Sequence, residues 1–223
     1  MAFRSDLVKS ESGDVPVQLL GPADPGGGPG LVVIPSIFGP APDLLAGLSA
    51  LADGALIVVP DPFFHEGGGV VPYSDHDGAI GRLKGFERDR CFSEMLAVIE
   101  WTRSRCNGNV VGLGICFGGP VVLHAAGVGA LAGLVTWHGS RMEAYLDRAS
   151  EISCPLRFHF GESDPVTPPD AIEQIRSAFS GHADADFVVH PGLVHGFSHE
   201  GDAYDEAAAR QGLDATRDLL AAL

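Results

Sequence analysis

Gly112-Leu113-Gly114-Ile115-Cys116-Phe117-Gly118-Gly119 is the stretch that decides how this chain is read. The apolar run Val110 to Ile115 enters it as a buried strand would, and the helix-compatible run Pro120 to Gly127 leaves it. A sharp strand-to-helix turn holds its central residue in strained backbone. Side chains on the flanks would collide across such a turn, which accounts for Gly114 and Gly118. On this reading Cys116 stands above the sheet edge as a nucleophile, where most turns of this kind carry serine. The same turn places the Phe117 N–H, at a helix N-terminus, toward any oxyanion formed on the carbon that the sulfur attacks. The plain alternative is a glycine-rich turn around a small buried thiol, since cysteine is among the most buried residue types.

Outward from the turn, short apolar runs alternate with helical segments. Leu31 to Pro35, Ala55 to Val59, Val110 to Ile115, Leu131 to Trp137, Leu156 to Phe160 and Phe187 to His190 read as strands. Helices are expected over Pro42 to Asp53, Phe92 to Arg103, Pro169 to Ser180 and Ala203 to Ala222. Phe92, Met95, Leu96 and Ile99 recur at helical spacing in the second of these. Continuously apolar strands alternating with helices predict an α/β fold: a mostly parallel sheet covered by helices on both faces. Val15 to Leu20 is expected as an antiparallel edge strand, and Pro25 to Gly30 as a loop. The stretch from Pro60 to about Gly78, rich in Gly, Pro, Asp and His, reads as a long loop after a strand's C-terminal end, where open α/β sheets bind ligands.

The 223 residues suit one domain, 1–223, with a large core. The net charge of −15 argues against nucleic acid and anionic membranes as partners. Met1 to Asp6 shows no apolar targeting segment, and no run approaches the length of a membrane span. Cys91, Cys106, Cys116 and Cys154 are widely spaced, without a zinc pattern, which predicts free thiols in a reducing cytoplasm. Packing is the expected role of the other three.

A thiol nucleophile needs a base, and the base needs an acidic partner to hold its tautomer. In α/β-hydrolase order the nucleophile comes first, then the acid, then histidine. Asp164 follows the strand ending at Phe160, and His195 follows the strand ending near His190. Asp164 has an ordinary alternative as a turn or helix-capping residue. The second oxyanion N–H is expected after the first parallel strand, at Ile37.

The quoted turn, together with Ile37-Phe38-Gly39, Pro60-Asp61-Pro62-Phe63, Gly161-x-x-Asp164-x-x-Thr167-Pro168 and His195-Gly196-Phe197, resembles the dienelactone hydrolase family, the carboxymethylenebutenolidase-like α/β-hydrolases. The resemblance runs from about Gly30 to the C-terminus. It implies a single-domain α/β-hydrolase fold without a large cap, using no cofactor. It implies that a Cys116–His195–Asp164 triad opens a small-molecule ester, lactone or thioester through an acyl-thioester, with Ile37 and Phe117 as the oxyanion hole. Ser36, Phe38, His65, His138 and Phe197 are the expected pocket residues, with His199 on the same rim; for the three histidines a hydrogen-bonded structural role is the more frequent alternative. Two departures from the family pattern bear on substrate. Ser36 stands where studied members carry glutamate, and Phe197-Ser198-His199 lacks the arginine that takes a substrate carboxylate. Arg82, Arg88 and Arg90 are the cations near the position of a second family arginine. A non-catalytic ligand-binding or thiol redox-sensing role is the alternative; oligomeric state is left open.

Overall fold

The computed structural model describes residues 3–24 and 27–223. Met1, Ala2, Pro25 and Gly26 lie outside the described residues, and with them part of the expected Pro25 to Gly30 loop. The strands are β1 (Arg4–Lys9), β2 (Asp14–Leu20), β3 (Gly30–Ile34), β4 (Leu56–Pro60), β5 (Val110–Ile115), β6 (Gly133–Trp137), β7 (Leu156–Gly161) and β8 (Ala185–His190). They form one sheet in the order β1-β2-β4-β3-β5-β6-β7-β8. From β4 to β8 every neighbouring pair is parallel; β1 and β2 are antiparallel additions at one side. The central strands β3, β4, β5 and β6 are buried along their whole length, the condition that makes such strands near-continuous apolar runs, with Thr136 in β6 the one polar side chain.

The helices are α1 (Pro42–Leu48), α2 (His76–Gly81), α3 (Arg88–Arg103), α4 (Gly118–Gly127), α5 (Pro169–Ala178) and α6 (Glu206–Ala221). Along β5, Gly112 and Gly114 face α4: a Cβ on either would meet Val122 within 3.2 Å. The opposite face takes α6, where Leu219 lies beside Gly133 and Val111. Helices therefore cover both faces, as the alternation of apolar runs requires.

Five expectations are corrected. Val15 to Leu20 is not the edge, because β1 pairs outside it in register Arg4↔Leu19 to Lys9↔Asp14. β1 is nearly all exposed, with only Val8 buried, so it carries no apolar run to read. The stretch from Pro60 to Gly78 is not plain loop. It holds a 3-10 turn over Phe64–Glu66 and the start of α2, whose Asp75 cap accepts from the Gly78 N–H at 2.9 Å. The helix over Pro42 to Asp53 ends at Leu48 and tightens into 3-10 geometry over Ser49–Leu51. α3 begins four residues before its apolar stripe, at Arg88, and α6 begins only at Glu206, capped by Asp205.

Candidate active site

Cys116 occupies the turn between β5 and α4 with φ of +51°, a left-handed conformation that few non-glycine residues adopt. Its backbone is held from three directions. The Cys116 N–H donates to the Trp137 carbonyl at 3.1 Å, and its own carbonyl accepts from Gly119 at 3.0 Å and Ser140 at 2.9 Å. The strain is thus locked in by hydrogen bonds to α4 and to the end of β6. Gly118 has no alternative at its position, since a Cβ there would lie 2.2 Å from the Ile34 carbonyl oxygen.

Asp164 lies in the β7–α5 loop and His195 in the β8–α6 loop. His195 Nε2 is 3.0 Å from Cys116 Sγ, and His195 Nδ1 is 2.7 Å from Asp164 Oδ2. Asp164 is also the turn residue its position suggested. Its other oxygen, Oδ1, accepts from the N–H groups of Val166 at 2.7 Å and Thr167 at 3.2 Å. One carboxylate thus fixes its own loop and the imidazole together. Burial alone would lower the proton affinity of His195. The hydrogen bonds to Asp164 and Cys116, with the charges of both, override it and push the imidazolium up to about 10.

Cys116 and His195 open onto a cavity of about 1000 Å³, whose walls also include Ile37, Phe38, Phe117 and Ser140, while Asp164 is buried behind the imidazole. Neither the Ile37 nor the Phe117 N–H is donated to a protein acceptor among the described residues. Phe38 lines the cavity edge-on to Tyr73, His76 and His199.

The other expected pocket residues do not line this cavity. Ser36 is buried in its turn, its Oγ accepting from the Phe38 N–H at 3.4 Å. His65 is turned to the buried carboxylate of Glu94 at 2.8 Å, a group that also draws Ser12 and Arg90. A carboxylate 1% exposed needs such partners more than the cavity needs an imidazole. Phe197 is fully buried between His138 and His190. His138 lies one layer behind the site, its ring 4.7 Å from that of His195 and its Nε2 2.8 Å from Ser198 Oγ. Burial, then the neighbouring His199 and His195 charges, hold it neutral. Cys116, His138 and His195 place ligand-type atoms within 4.8 Å of one another, the donor set a soft divalent cation prefers. Two of those three are already bonded to each other.

The residues that sequence reasoning missed are the cavity's far walls: Tyr73, His76, Ile80, Leu83 and Phe86 around α2, and Arg141 and Val166 beyond the strand ends. They come from segments without periodicity. Tyr73 donates to both Asp43 oxygens at 2.9 Å; burial and that carboxylate hold its phenol well above the ordinary value. Of the three arginines singled out, Arg82 is committed to the carbonyls of Ile37, Gly68 and Gly69, and Arg90 to Glu66. Only Arg88 reaches the cavity. A second thiol, Cys91, also lines it, but burial and the nearby Glu94 and Glu66 carboxylates push it up to about 12, which keeps it protonated.

The family model of the dienelactone hydrolase family matches residues 15–223. A carboxymethylenebutenolidase of Pseudomonas sp. (strain P51) is 28% identical over 162 residues, covering 69% of this chain and 68% of the relative. A crystal structure from Klebsiella pneumoniae subsp. pneumoniae, provisionally named a dienelactone hydrolase, superposes with a TM-score of 0.80 at 22% identity over 99% of both chains. The dienelactone hydrolase-like promiscuous phosphotriesterase P91, from metagenomic libraries, gives 0.78 at 23% identity over 100% of this chain and 99% of its own. At such identities the structural likeness speaks for the fold.

Proposed function

The chain belongs to the dienelactone hydrolase family, a family of carboxylic ester and lactone hydrolases, and from that premise we propose that it cleaves a small-molecule ester or lactone through Cys116, His195 and Asp164. The observation that carries this reading is the continuous line Cys116–His195–Asp164, with contacts of 3.0 and 2.7 Å. With the shared proton on His195, Cys116 attacks the carbonyl carbon as a thiolate. The carbonyl electron pair moves onto oxygen, where the Ile37 and Phe117 N–H groups receive it. Collapse breaks the C–O bond, and the departing oxygen takes the proton from His195 Nε2. Water then attacks the thioester, returns a proton to His195, and releases the acid and the thiolate. Asp164 stays ionised throughout and keeps the Nδ1 proton in place.

An ordered acid and base beside the thiol favour turnover over passive binding or thiol sensing, which need neither. Among the described residues no helix is long and apolar enough to cross a membrane. With four free cysteines, the reading extends to one catalytic domain over 1–223 that works in the cytoplasm without metal or cofactor.

The test is 4-nitrophenyl acetate turnover by the protein and by Cys116→Ala, with mass spectrometry for an acetyl group on Cys116. The variant should lose at least about 1,000-fold in kcat/KM with its melting temperature little changed. Undiminished activity would overturn the assignment and direct attention to the Ser140 hydroxyl, 4.0 Å from Cys116 Sγ.

A further inference from the structure

Ile80 and Leu83 are left 52% and 41% exposed, and both stand on the wall of the cavity that holds Cys116. Single exposed apolar residues are ordinary on a protein surface. Here they share the cavity with Phe86, Phe92 and Val121, which line it together with the nucleophile. The cavity, about 1000 Å³, lies at the upper end of the roughly 300–1,000 Å³ that drug-sized ligands occupy. A lactone of about ten heavy atoms would leave most of it filled with water against apolar walls, a costly arrangement.

The sheet order assigns the two ends of the cavity. His195 arrives from β8, on one side of β5, and must reach the departing oxygen to protonate it. α2 and α3 follow β4, on the other side of β5, and carry or adjoin Ile80, Leu83, Phe86 and Phe92. The leaving group therefore belongs on the β8 side, and the α2–α3 wall faces the acyl arm. The Arg88 guanidinium, which also lines the cavity, lies over the Tyr145 ring at 5.1 Å.

We infer that the acyl group of the substrate is bulky and apolar, a medium-chain alkyl or aryl group seated against Ile80, Leu83, Phe86, Phe92 and Val121. The inference rests on the assignment of Cys116 as nucleophile. It is tested with 4-nitrophenyl acetate, butyrate and octanoate. Because each buried methylene contributes about 0.8 kcal/mol, kcat/KM should rise at least about tenfold from acetate to octanoate even with partial burial. Ile80→Ser combined with Leu83→Ser should lower the octanoate-to-acetate ratio at least about fivefold. Both side chains are substantially exposed, so the fold does not depend on them. A ratio that is flat, or insensitive to the double substitution, overturns the inference while leaving the nucleophile in place. Undiminished acetate turnover by Cys116→Ala overturns the nucleophile instead. Independently of turnover, Cys116→Ala protein should bind 4-nitrophenyl octanoate more tightly than the acetate by calorimetry, and equal affinities would also overturn the acyl assignment.

Discussion

Asp164 divides its two oxygens between tasks that a single substitution can separate. Oδ1 holds the loop through Val166 and Thr167, and Oδ2 holds His195. Asp164→Asn retains an oxygen for the loop but replaces the charged partner of the imidazole. Turnover should fall about 10,000-fold, as expected when the histidine loses its tautomer and its charge partner. The pH profile should change as well. His195 is raised to about 10, so its protonated form is present below that value and lost as pH rises through it. Without the carboxylate, the alkaline fall of residual kcat/KM should move to lower pH; an unmoved limb would mean that Asp164 does not support the imidazolium. The convergence of Cys116, Asp164 and His195 was legible because each lies within five residues of the C-terminal end of a parallel strand. The pocket was not. His65 and Phe38 are equally plausible in one dimension. Only the packing shows that a buried carboxylate, Glu94, claims the first, while the second meets Tyr73 and His199.

The turn between β5 and α4 is where element geometry and chemistry are least separable. A Cβ on Gly114 would lie 2.5 Å from the Gly118 carbonyl oxygen, and one on Gly118 would lie 2.2 Å from that of Ile34. These are backbone atoms and cannot swing aside. Gly118→Ala should therefore cost about 3 kcal/mol or more by chemical denaturation, and activity should fall even where the protein remains folded. Gly47, in α1, is the contrasting case. A Cβ there meets nothing within 4 Å, so Gly47→Ala should stabilise by up to about 1 kcal/mol through helix propensity alone. Equal effects at the two positions would sink the argument that close approach dictates Gly118. The central parallel strands were legible for the same physical reason that they are stable: burial on both faces makes β3, β4 and β5 apolar at every position. β1 and α2 were not. β1 exposes five of its six residues, and α2, His76-Asp77-Gly78-Ala79-Ile80-Gly81, has two glycines and one buried side chain. Both are held by their neighbours more than by their own composition.

On the scale of the whole molecule, the histidines shape stability in opposite directions on the two sides of neutrality. His138, His159 and His199 are kept neutral chiefly by burial, the last two lowered to about 4. The positive charge of His190 adds to the effect at His159, where the two rings meet at 3.3 Å between nitrogens. Above an ordinary histidine value of about 6.5 these groups are neutral whether folded or unfolded and contribute nothing. As pH falls below it, the unfolded chain binds protons that the folded protein excludes, and stability is lost. His195 works the other way: its raised value contributes stability that is fully present below about 6.5 and lost as pH rises toward 10. Stability should therefore be greatest near pH 6.5. Urea unfolding at intervals from pH 8 down to 5 should show a decline on the acid side, approaching about 1.4 kcal/mol per pH unit for each imidazole that only the unfolded chain protonates. The window matters because the net charge of −15 acts in the opposite sense. Protonating surface carboxylates relieves repulsion, but mostly below about pH 5, so the two effects separate. His159→Gln, which places a group that does not titrate beside His190, should make the acid decline shallower. A stability curve level from pH 6.5 to 5, or one unchanged by that substitution, would show that the buried imidazoles are protonated in the folded protein after all.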